Sequence, residues 1–246
     1  MSKAMFQKIG YAVSLLIATS AASAHAGDFV KAQASEAAAA LERYTSGGGA
    51  APWAIESIEI NAALDKLDKS GRLRAIRRAT ATGGSRYEVL QLAGDRTVEV
   101  QVIARYLNAE ERQSMLPPES VAINNKNYKF TYQGIIDDGE HRAYAFQITP
   151  RHKRDGLIKG ELWLDQRTGA PLVQFGRTVK SPSVFIKRVS VRRENVLCDG
   201  MIASRLTRIT VETRLLGRAE LVIEEHPLRS PEALQLARSG AIGGQE

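Results

Sequence analysis

Alternation of apolar and polar residues with a period of two runs through most of the chain after Trp53. In each run every second side chain is apolar, which is typical of a strand with one buried face and one solvated face. Antiparallel sheets are the ones that leave one face to water, so the pattern predicts a single antiparallel sheet of roughly ten strands, arranged as a β-meander. The clearest runs are residues 58–64, 87–92, 128–133, 144–149 and 209–215, and Val98, Val100 and Val102 continue the pattern.

Turn residues separate the predicted strands. Most of these short segments contain glycine or aspartate, which supply the backbone conformations that tight hairpins require. The predicted turns are Lys69-Ser70-Gly71, Thr82-Gly83-Gly84, Ala93-Gly94-Asp95, Asp137-Asp138-Gly139, Arg167-Thr168-Gly169 and Cys198-Asp199-Gly200.

Three segments depart from the strand pattern and favour helices. The alanine-rich residues 29–44 have high helix propensity, with Asp28 placed to be the N-cap. Residues 108–113, with Asn108 as the cap, indicate a helix-bearing connection inserted into the strand series. Residues 231–237 favour a short helix near the C-terminus. We expect the first helix to pack against the apolar side of the sheet.

The first 26 residues have the parts of a secretory signal peptide in order. Lys3 and Lys8 give a positive start, residues 9–18 are apolar, and Ala24-His25-Ala26 is an A-x-A cleavage site. A membrane anchor is the alternative, but the apolar stretch is about half the roughly 20 residues that cross a bilayer. We therefore predict cleavage before Gly27 and export.

The chain divides into three predicted parts. Residues 1–26 are the signal peptide, residues 27–228 form one β-rich domain, and residues 229–246 are a C-terminal tail. The middle part has a size that one β-rich domain can fill without being divided. With 43% hydrophobic residues the chain can form a substantial core, which argues against wholesale disorder.

The formal net charge of +7 bears on the choice of partner. In an exported protein a positive surplus favours anionic lipid or an acidic protein surface over nucleic acid. Solubility alone would also explain it. The basic residues 151–154, 187–188 and 192–193 leave peripheral contact with a membrane open, because exposed cations attract anionic surfaces.

The sequence lacks three common catalytic or nucleotide-binding motifs. A G-x-S-x-G elbow, a Walker-type glycine loop and a G-x-G-x-x-G between strand and helix are missing. His141, His152 and His226 lack the spacing of a zinc site. Cys198 lies where a strand enters a turn, with no base signalled nearby. We therefore expect neither an enzyme nor a metal or cofactor site.

Aromatic and aliphatic side chains share one face of three predicted strands. Alternate positions of a strand point to the same side, so these side chains should form one surface. A closed core is one interpretation, and an incompletely covered concavity that binds lipid or acyl chains is the other. The candidate binding residues are Tyr128, Phe130, Tyr132, Tyr144, Phe146, Ile148, Leu162 and Leu164.

Residues 159–173, KGELWLDQRTGAPLV, resemble the G-x-x-W-x-D-x-x-T-x-x-P strand–turn–strand of the LolA/LolB-like outer-membrane lipoprotein carriers. RseB-like sensors of envelope stress share that fold. Residues 144–150, YAFQITP, are similar to the family strand that ends in a proline before a charged loop. The resemblance implies a mainly β protein with a few helices, an antiparallel meander forming an unclosed half-barrel with helices on the concave side. It also implies a periplasmic location.

The resemblance further implies a non-catalytic binding protein that holds lipid or lipoprotein acyl chains in an apolar groove. Such a protein would carry them towards the outer membrane, with the connection at residues 108–125 as a candidate lid. The alternative is an RseB-like envelope sensor or scaffold that binds a partner protein. In either case we expect a monomer that binds no nucleic acid.

Overall fold

The structure, a computed structural model, describes residues 21–47, 53–80, 84–137, 139, 142–181, 184–214 and 217–239. Several predicted features lie outside the described residues: residues 1–20 of the signal peptide, part of the turn at Thr82-Gly83-Gly84, Asp138, His141, Leu215 and the end of the tail beyond residue 239. The sheet lies in the unit Glu36–Glu246, and the first helix begins in the unit Met1–Ser35.

Ten strands of the described chain form one antiparallel sheet. The mainly β fold predicted from the period-two pattern is therefore confirmed. The strands are β1 (Ile55–Leu64), β2 (Lys69–Ala79), β3 (Ser85–Gly94), β4 (Tyr128–Asp137), β5 (Arg142–Pro150), β6 (Ile158–Asp165), β7 (Pro171–Thr178), β8 (Ile186–Cys198), β9 (Met201–Thr213) and β10 (Arg218–Pro227).

The strand order is β3-β2-β1-β10-β9-β8-β7-β6-β5-β4. Two meanders, β1–β3 and β4–β10, are joined because β1 pairs with β10 along its length. β3 and β4 are the two edges, so the sheet is an unclosed half-barrel. The connection from β3 to β4 leads from one edge to the other and carries helices on the concave side, as predicted.

The helices are α1 (Ala21–Ser46), α2 (Arg96–Val98), α3 (Ala104–Ser114), α4 (Pro118–Val121) and α5 (Pro231–Ser239). A π-helical turn, Glu99–Ile103, joins α2 to α3. In the described part of the chain, we find no helix with the length and apolar character needed to cross a membrane.

The first helix begins eight residues earlier than predicted. α1 starts at Ala21, so Asp28 lies inside the helix and is not its N-cap. The cause is composition: residues 21–26 are mostly alanine, which has the highest helix propensity and extends the helix backwards.

The strand predicted around Val98 is wrong, because residues 96–103 are helical. Val98 and Val102 are four positions apart, so both can face the sheet from a helix as well as from a strand. Both are buried, whereas Val100 is exposed. The missed signal is Asp95, whose side chain caps α2 by accepting a hydrogen bond from the Thr97 amide at 2.7 Å.

Two further boundaries are corrected. Asn108 lies inside α3 and does not cap it, because the helical connection already begins at Arg96. Lys69-Ser70-Gly71 belongs to β2, and the turn before it is the short 3-10 helix Asp65–Leu67, closed by Asp68 in the left-handed conformation. The turn at Cys198-Asp199-Gly200 is confirmed, with φ of 53° at Asp199 and 77° at Gly200, as a type I′ hairpin needs.

The connection covers one half of the concave face. Here apolar side chains of β1, β2 and β10 pack against α2 and the π-helical turn, and Tyr106 and Leu107 of α3 contact them. We call this buried group the first cluster: Ile58, Ile60, Ala62, Leu64, Leu73, Ala75, Val98, Val102, Ile103, Ala219, Leu221 and Ile223.

Candidate binding face

All eight predicted binding residues lie together on the other half of the concave face. Tyr132, Phe146 and Leu162 are direct partners across β4, β5 and β6, and this register places the alternate positions of the three strands on one side. We call the buried group here the second cluster: Ala37, Ala40, Tyr128, Tyr144, Phe146, Ile148, Leu157, Ile158, Leu162 and Leu164. Phe130 and Tyr132 are partly buried against it.

The C-terminal half of α1 covers the second cluster. Ala37 and Ala40 are fully buried there, and Leu41 and Tyr44 pack beside them. The Tyr144 hydroxyl donates a hydrogen bond to the Glu36 carboxylate at 2.8 Å. Burial, and then this hydrogen bond, raises the pKa of Tyr144 to about 12, so the hydroxyl keeps its proton. The expected packing of the first helix on the apolar side is confirmed for this segment.

A single row of facing residues crosses the concave side from edge to edge. Each member is the direct partner of the next across neighbouring strands. We call it the central row: Tyr132, Phe146, Leu162, Gln174, Arg193, Thr207, Ile223, Ile60, Leu73 and Leu92. Its three middle members are polar and its two arms are apolar.

Arg193 and Thr207 in the middle of the row have buried polar atoms without partners. Among the described residues, neither the Arg193 Nε nor the Thr207 Oγ1 has a hydrogen-bond partner. Thr207 is 5% exposed. Burial raises the pKa of Tyr44 to about 12, and the nearby charge of Arg193 acts in the opposite direction. Arg193 therefore interacts electrostatically with Tyr44 of the helix that covers the second cluster.

A second guanidinium lies beside Arg193. The Arg205 Nε donates to the Asn195 Oδ1 at 3.1 Å, and its Nη1 is 3.7 Å from the Glu225 Oε2. The Trp53 ring lies 4.9 Å from the Arg205 guanidinium carbon. Burial, and then the like charge of Arg193, lowers the pKa of Arg205.

Arg77 binds three carboxylates on the other side of Arg205. Its Nη2 donates to Glu225 at 2.6 Å, its Nε donates to Glu56, and its Nη1 donates to Glu110 of α3. Buried charges persist when they are paired and hydrogen-bonded, which explains why these groups tolerate the interior. Burial alone would lower the pKa of Arg77, but the carboxylates outweigh it and raise the pKa. This network ties α3 to β1, β2 and β10.

The sequence analysis did not identify the charged network around Arg77, although the strand pattern contains a signal for it. Glu56 and Arg77 occupy the same alternating positions as the buried Ile58 and Ala75, so they were placed to face inward. Charged residues in phase with a buried strand face mark an internal network.

Residues 159–173 hold the β6–β7 hairpin together and include neither Arg193 nor Thr207. The Asp165 Oδ1 accepts hydrogen bonds from the Thr168 amide at 2.7 Å and hydroxyl at 2.6 Å. A Cβ at Gly160 would lie 1.9 Å from the Phe175 carbonyl oxygen, so this close approach of β6 and β7 requires glycine. Trp163 packs edge-on against Phe175.

Among the described residues, no cluster of three or more histidine, cysteine, aspartate or glutamate side chains could hold a metal ion. Cys198 is a free, exposed thiol at the β8–β9 turn.

No family model and no curated protein matches the chain. Solved structures do show similarity. A LolA superfamily protein from Nitrosomonas europaea aligns with a TM-score of 0.41 and 12% identity, covering 80% of this chain and 96% of that one. An outer membrane lipoprotein-sorting protein domain from Vibrio parahaemolyticus aligns with a TM-score of 0.34 and 10% identity, covering 85% and 99%.

MucB aligns with a TM-score of 0.28 and 14% identity, covering 82% of this chain and 97% of that one. A structure of MucB in complex with MucA(peri) is also similar, with a TM-score of 0.24 and 13% identity over 82% and 97% of the two chains. Similarity at these values does not assign a function. The solved structures include the LolA group that residues 159–173 resemble.

Proposed function

We propose that this chain is an exported, periplasmic, non-catalytic binding protein that holds the acyl chains of a lipid or lipoprotein on the concave face. The observation that carries the proposal is the second cluster, a continuous aromatic and aliphatic surface on β4, β5 and β6. Pockets that bind ligands are lined mainly by such side chains, with few polar groups. Carriage of the bound chains towards the outer membrane is the role we assign to it.

The cover over this surface is thin. Ala37 and Ala40 each contribute one methyl group to the buried contact, with Leu41 and Tyr44 at its margin. Burial of an alkyl chain stabilises a complex by about 0.8 kcal/mol for each CH₂ removed from water. An acyl chain of ordinary length can therefore replace the contacts of α1 and displace it.

The edge strand β4 offers the entry. Phe130, Tyr132 and Ile135 are partly buried at this edge, while Phe146 and Leu162 behind them are enclosed. A chain that enters beside Phe130 meets aromatic side chains first and then the aliphatic floor of β6. Tyr132 and Phe146 lie 5.7 Å apart, between ring centroids, and form one continuous wall.

Fatty-acid binding by the Phe130→Asp variant tests the proposal directly. The substitution places a carboxylate at the entry, and a charge beside an alkyl chain is strongly unfavourable. We expect the affinity of the chain 27–246 for a fluorescent fatty acid to fall at least about tenfold, equal to about 1.4 kcal/mol. The control is Thr131→Asp, which adds the same charge at the exposed neighbouring position on the opposite face.

Thr131→Asp should bind as the parent does, and circular dichroism should show that both variants are folded. Fatty-acid binding by Phe130→Asp equal to that of the parent would contradict the proposed face. A parent chain that binds no fatty acid and co-purifies with no lipid by mass spectrometry would sink the proposal as a whole.

An envelope sensor or scaffold is the second candidate, and the edge strand β3 favours it. Val89 and Leu92 are 55% and 49% exposed on this strand. The outer edge of β3 pairs with no other described strand. An exposed apolar edge can accept a strand from a partner protein. A sensor would form a stable complex with the periplasmic part of another envelope protein, whereas a carrier would transfer lipid to an acceptor.

A further inference from the structure

The polar centre of the central row interrupts the apolar side chains of the concave face. Gln174, Arg193 and Thr207 are successive partners on β7, β8 and β9. On either side the row continues through apolar residues, Leu162 towards β4 and Ile223 towards β3. An interior row built for packing alone would continue the apolar side chains through the middle strands as well.

Arg193 lacks a counter-charge among the described residues. The carboxylates nearby belong to the buried Glu56 and Glu225 and to the partly buried Glu110, and Arg77 binds all three. Arg205 has Asn195 and, at 3.7 Å, the far oxygen of Glu225. Two guanidinium groups therefore adjoin, and one of them has no ion pair in the described chain.

The unpaired atoms of Arg193 and Thr207 can both donate hydrogen bonds to the same kind of ligand. The Arg193 Nε is a buried donor, and the Thr207 hydroxyl beside it can also donate. Thr207 is more than nine-tenths buried. Buried polar groups in native proteins are almost always hydrogen-bonded, so a buried group left without a partner points to a ligand. Guanidinium and hydroxyl donors together match the oxygens of a carboxylate or phosphate.

We propose that Arg193 and Thr207 bind the anionic headgroup, a carboxylate or phosphate, of the amphiphile whose alkyl chain lies on the apolar arm of the central row. This assignment rests on the proposed function. It specifies the class of ligand. An amphiphile with a negative headgroup can bind the polar centre and the apolar arm of the row, whereas an uncharged one can bind the apolar arm alone.

The distance along the row agrees with such a ligand. Neighbouring strands are about 4.8 Å apart, so the arm from Arg193 to Tyr132 extends about 19 Å across four strand spacings. A headgroup at Arg193 therefore leaves an extended path for its chain over Leu162 and Phe146 before the edge at β4. The Arg193 charge acts on Tyr44 of α1, so under this proposal the displacement of α1 would change the head site together with the chain site.

The experiment compares a fatty acid with the fatty alcohol of the same chain length, using the chain 27–246 and its variants. Arg193→Gln should weaken fatty-acid binding at least about tenfold and change alcohol binding less than about twofold. Thr207→Val, which keeps the side-chain shape, should weaken fatty-acid binding in the same direction. The control is Arg177→Gln, an exposed arginine on the opposite face of β7 without a described ion pair.

The outcomes separate the two proposals. Binding of neither ligand by the parent refutes the proposed function, and the headgroup assignment with it. Equal effects of Arg193→Gln on acid and alcohol, or none on either, refute the headgroup assignment and leave acyl-chain binding in place. If Arg193→Gln does not fold by circular dichroism, Thr207→Val decides in its place.

Inorganic phosphate distinguishes a headgroup from a free anion. We expect millimolar phosphate alone to give no saturable binding by calorimetry, because the head would be held together with its chain. Saturable phosphate binding that Arg193→Gln abolishes, with fatty-acid binding unchanged, would assign the site to a free anion and overturn the proposal.

Discussion

At the scale of single residues, the concave face holds two kinds of arginine. Arg77 is 8% exposed and bound to three carboxylates, so its charge is fully used within the fold. Arg193 is half-buried and forms no ion pair with the described residues. One arginine of this surface is thus held by ion pairs within the fold, whereas our proposal assigns the other to a ligand.

Arg77→Met tests the structural part of this division. It leaves the buried Glu56 and Glu225 without their main partner, and loss of one member of a buried ion network costs about 3–5 kcal/mol. We expect the free energy of unfolding in urea to fall by that amount. The control is Arg72→Met on the same strand, where the ion pair with Glu59 is partly exposed and contributes at most about 1 kcal/mol. Similar losses in both variants would contradict the central role of Arg77.

At the scale of elements, each helical segment covers a different half of the sheet. The connection from β3 to β4 supplies Val98, Val102 and Ile103 to the first cluster, and the Arg77–Glu110 pair fastens it. α1 supplies two alanines to the second cluster, with the Tyr144–Glu36 hydrogen bond beside them. α1 therefore buries smaller side chains against the sheet than the connection does, and under our proposal the second cluster is the half that opens.

Ala40→Asp should release α1 and leave the sheet intact. Burying the carboxylate against the second cluster is unfavourable by at least about 2 kcal/mol. Hydrogen exchange should show lost amide protection in residues 36–46 and kept protection in β5 and β6. Ala39→Asp, at the exposed neighbouring position of the same helix, is the control and should keep the protection. Equal exchange in the two variants would show that the contact at Ala40 does not hold the helix.

Local pattern predicted the strands, the Asp199-Gly200 hairpin and the shared face of the eight aromatic and aliphatic residues. It failed at Val98, Val100 and Val102. Residues four positions apart share one face in a strand and in a helix alike, so the burial of Val98 and Val102 fits either element. The pairing of β1 with β10 joins residues more than 150 positions apart, for which local pattern holds no information. The Arg77 network depends on that pairing, so it could not be assembled from single strands.

At the scale of the whole sheet, an unclosed half-barrel has a concave face that its own strands do not cover. A closed barrel buries its interior with its own strands, whereas this sheet leaves two edges and a concave face that other segments must cover. The first cluster is covered by a segment anchored at both ends between β3 and β4. The second cluster is covered by α1, whose C-terminal end is joined to β1 by the chain that follows it.

That asymmetry predicts competition between α1 and an acyl chain for the second cluster. A chain that begins at residue 48 lacks α1, so its ligand has no helix to displace. We expect it to bind a fluorescent fatty acid at least about tenfold more tightly than the chain that begins at Gly27, because the free energy that holds α1 in place no longer opposes binding. The free chain should also unfold at lower urea concentration, since the exposed second cluster loses its cover, and bound fatty acid should restore part of that stability. Weaker binding by the folded chain without α1 would instead show that α1 forms one wall of the site, and that Ala37 and Ala40 contact the ligand and are not replaced by it.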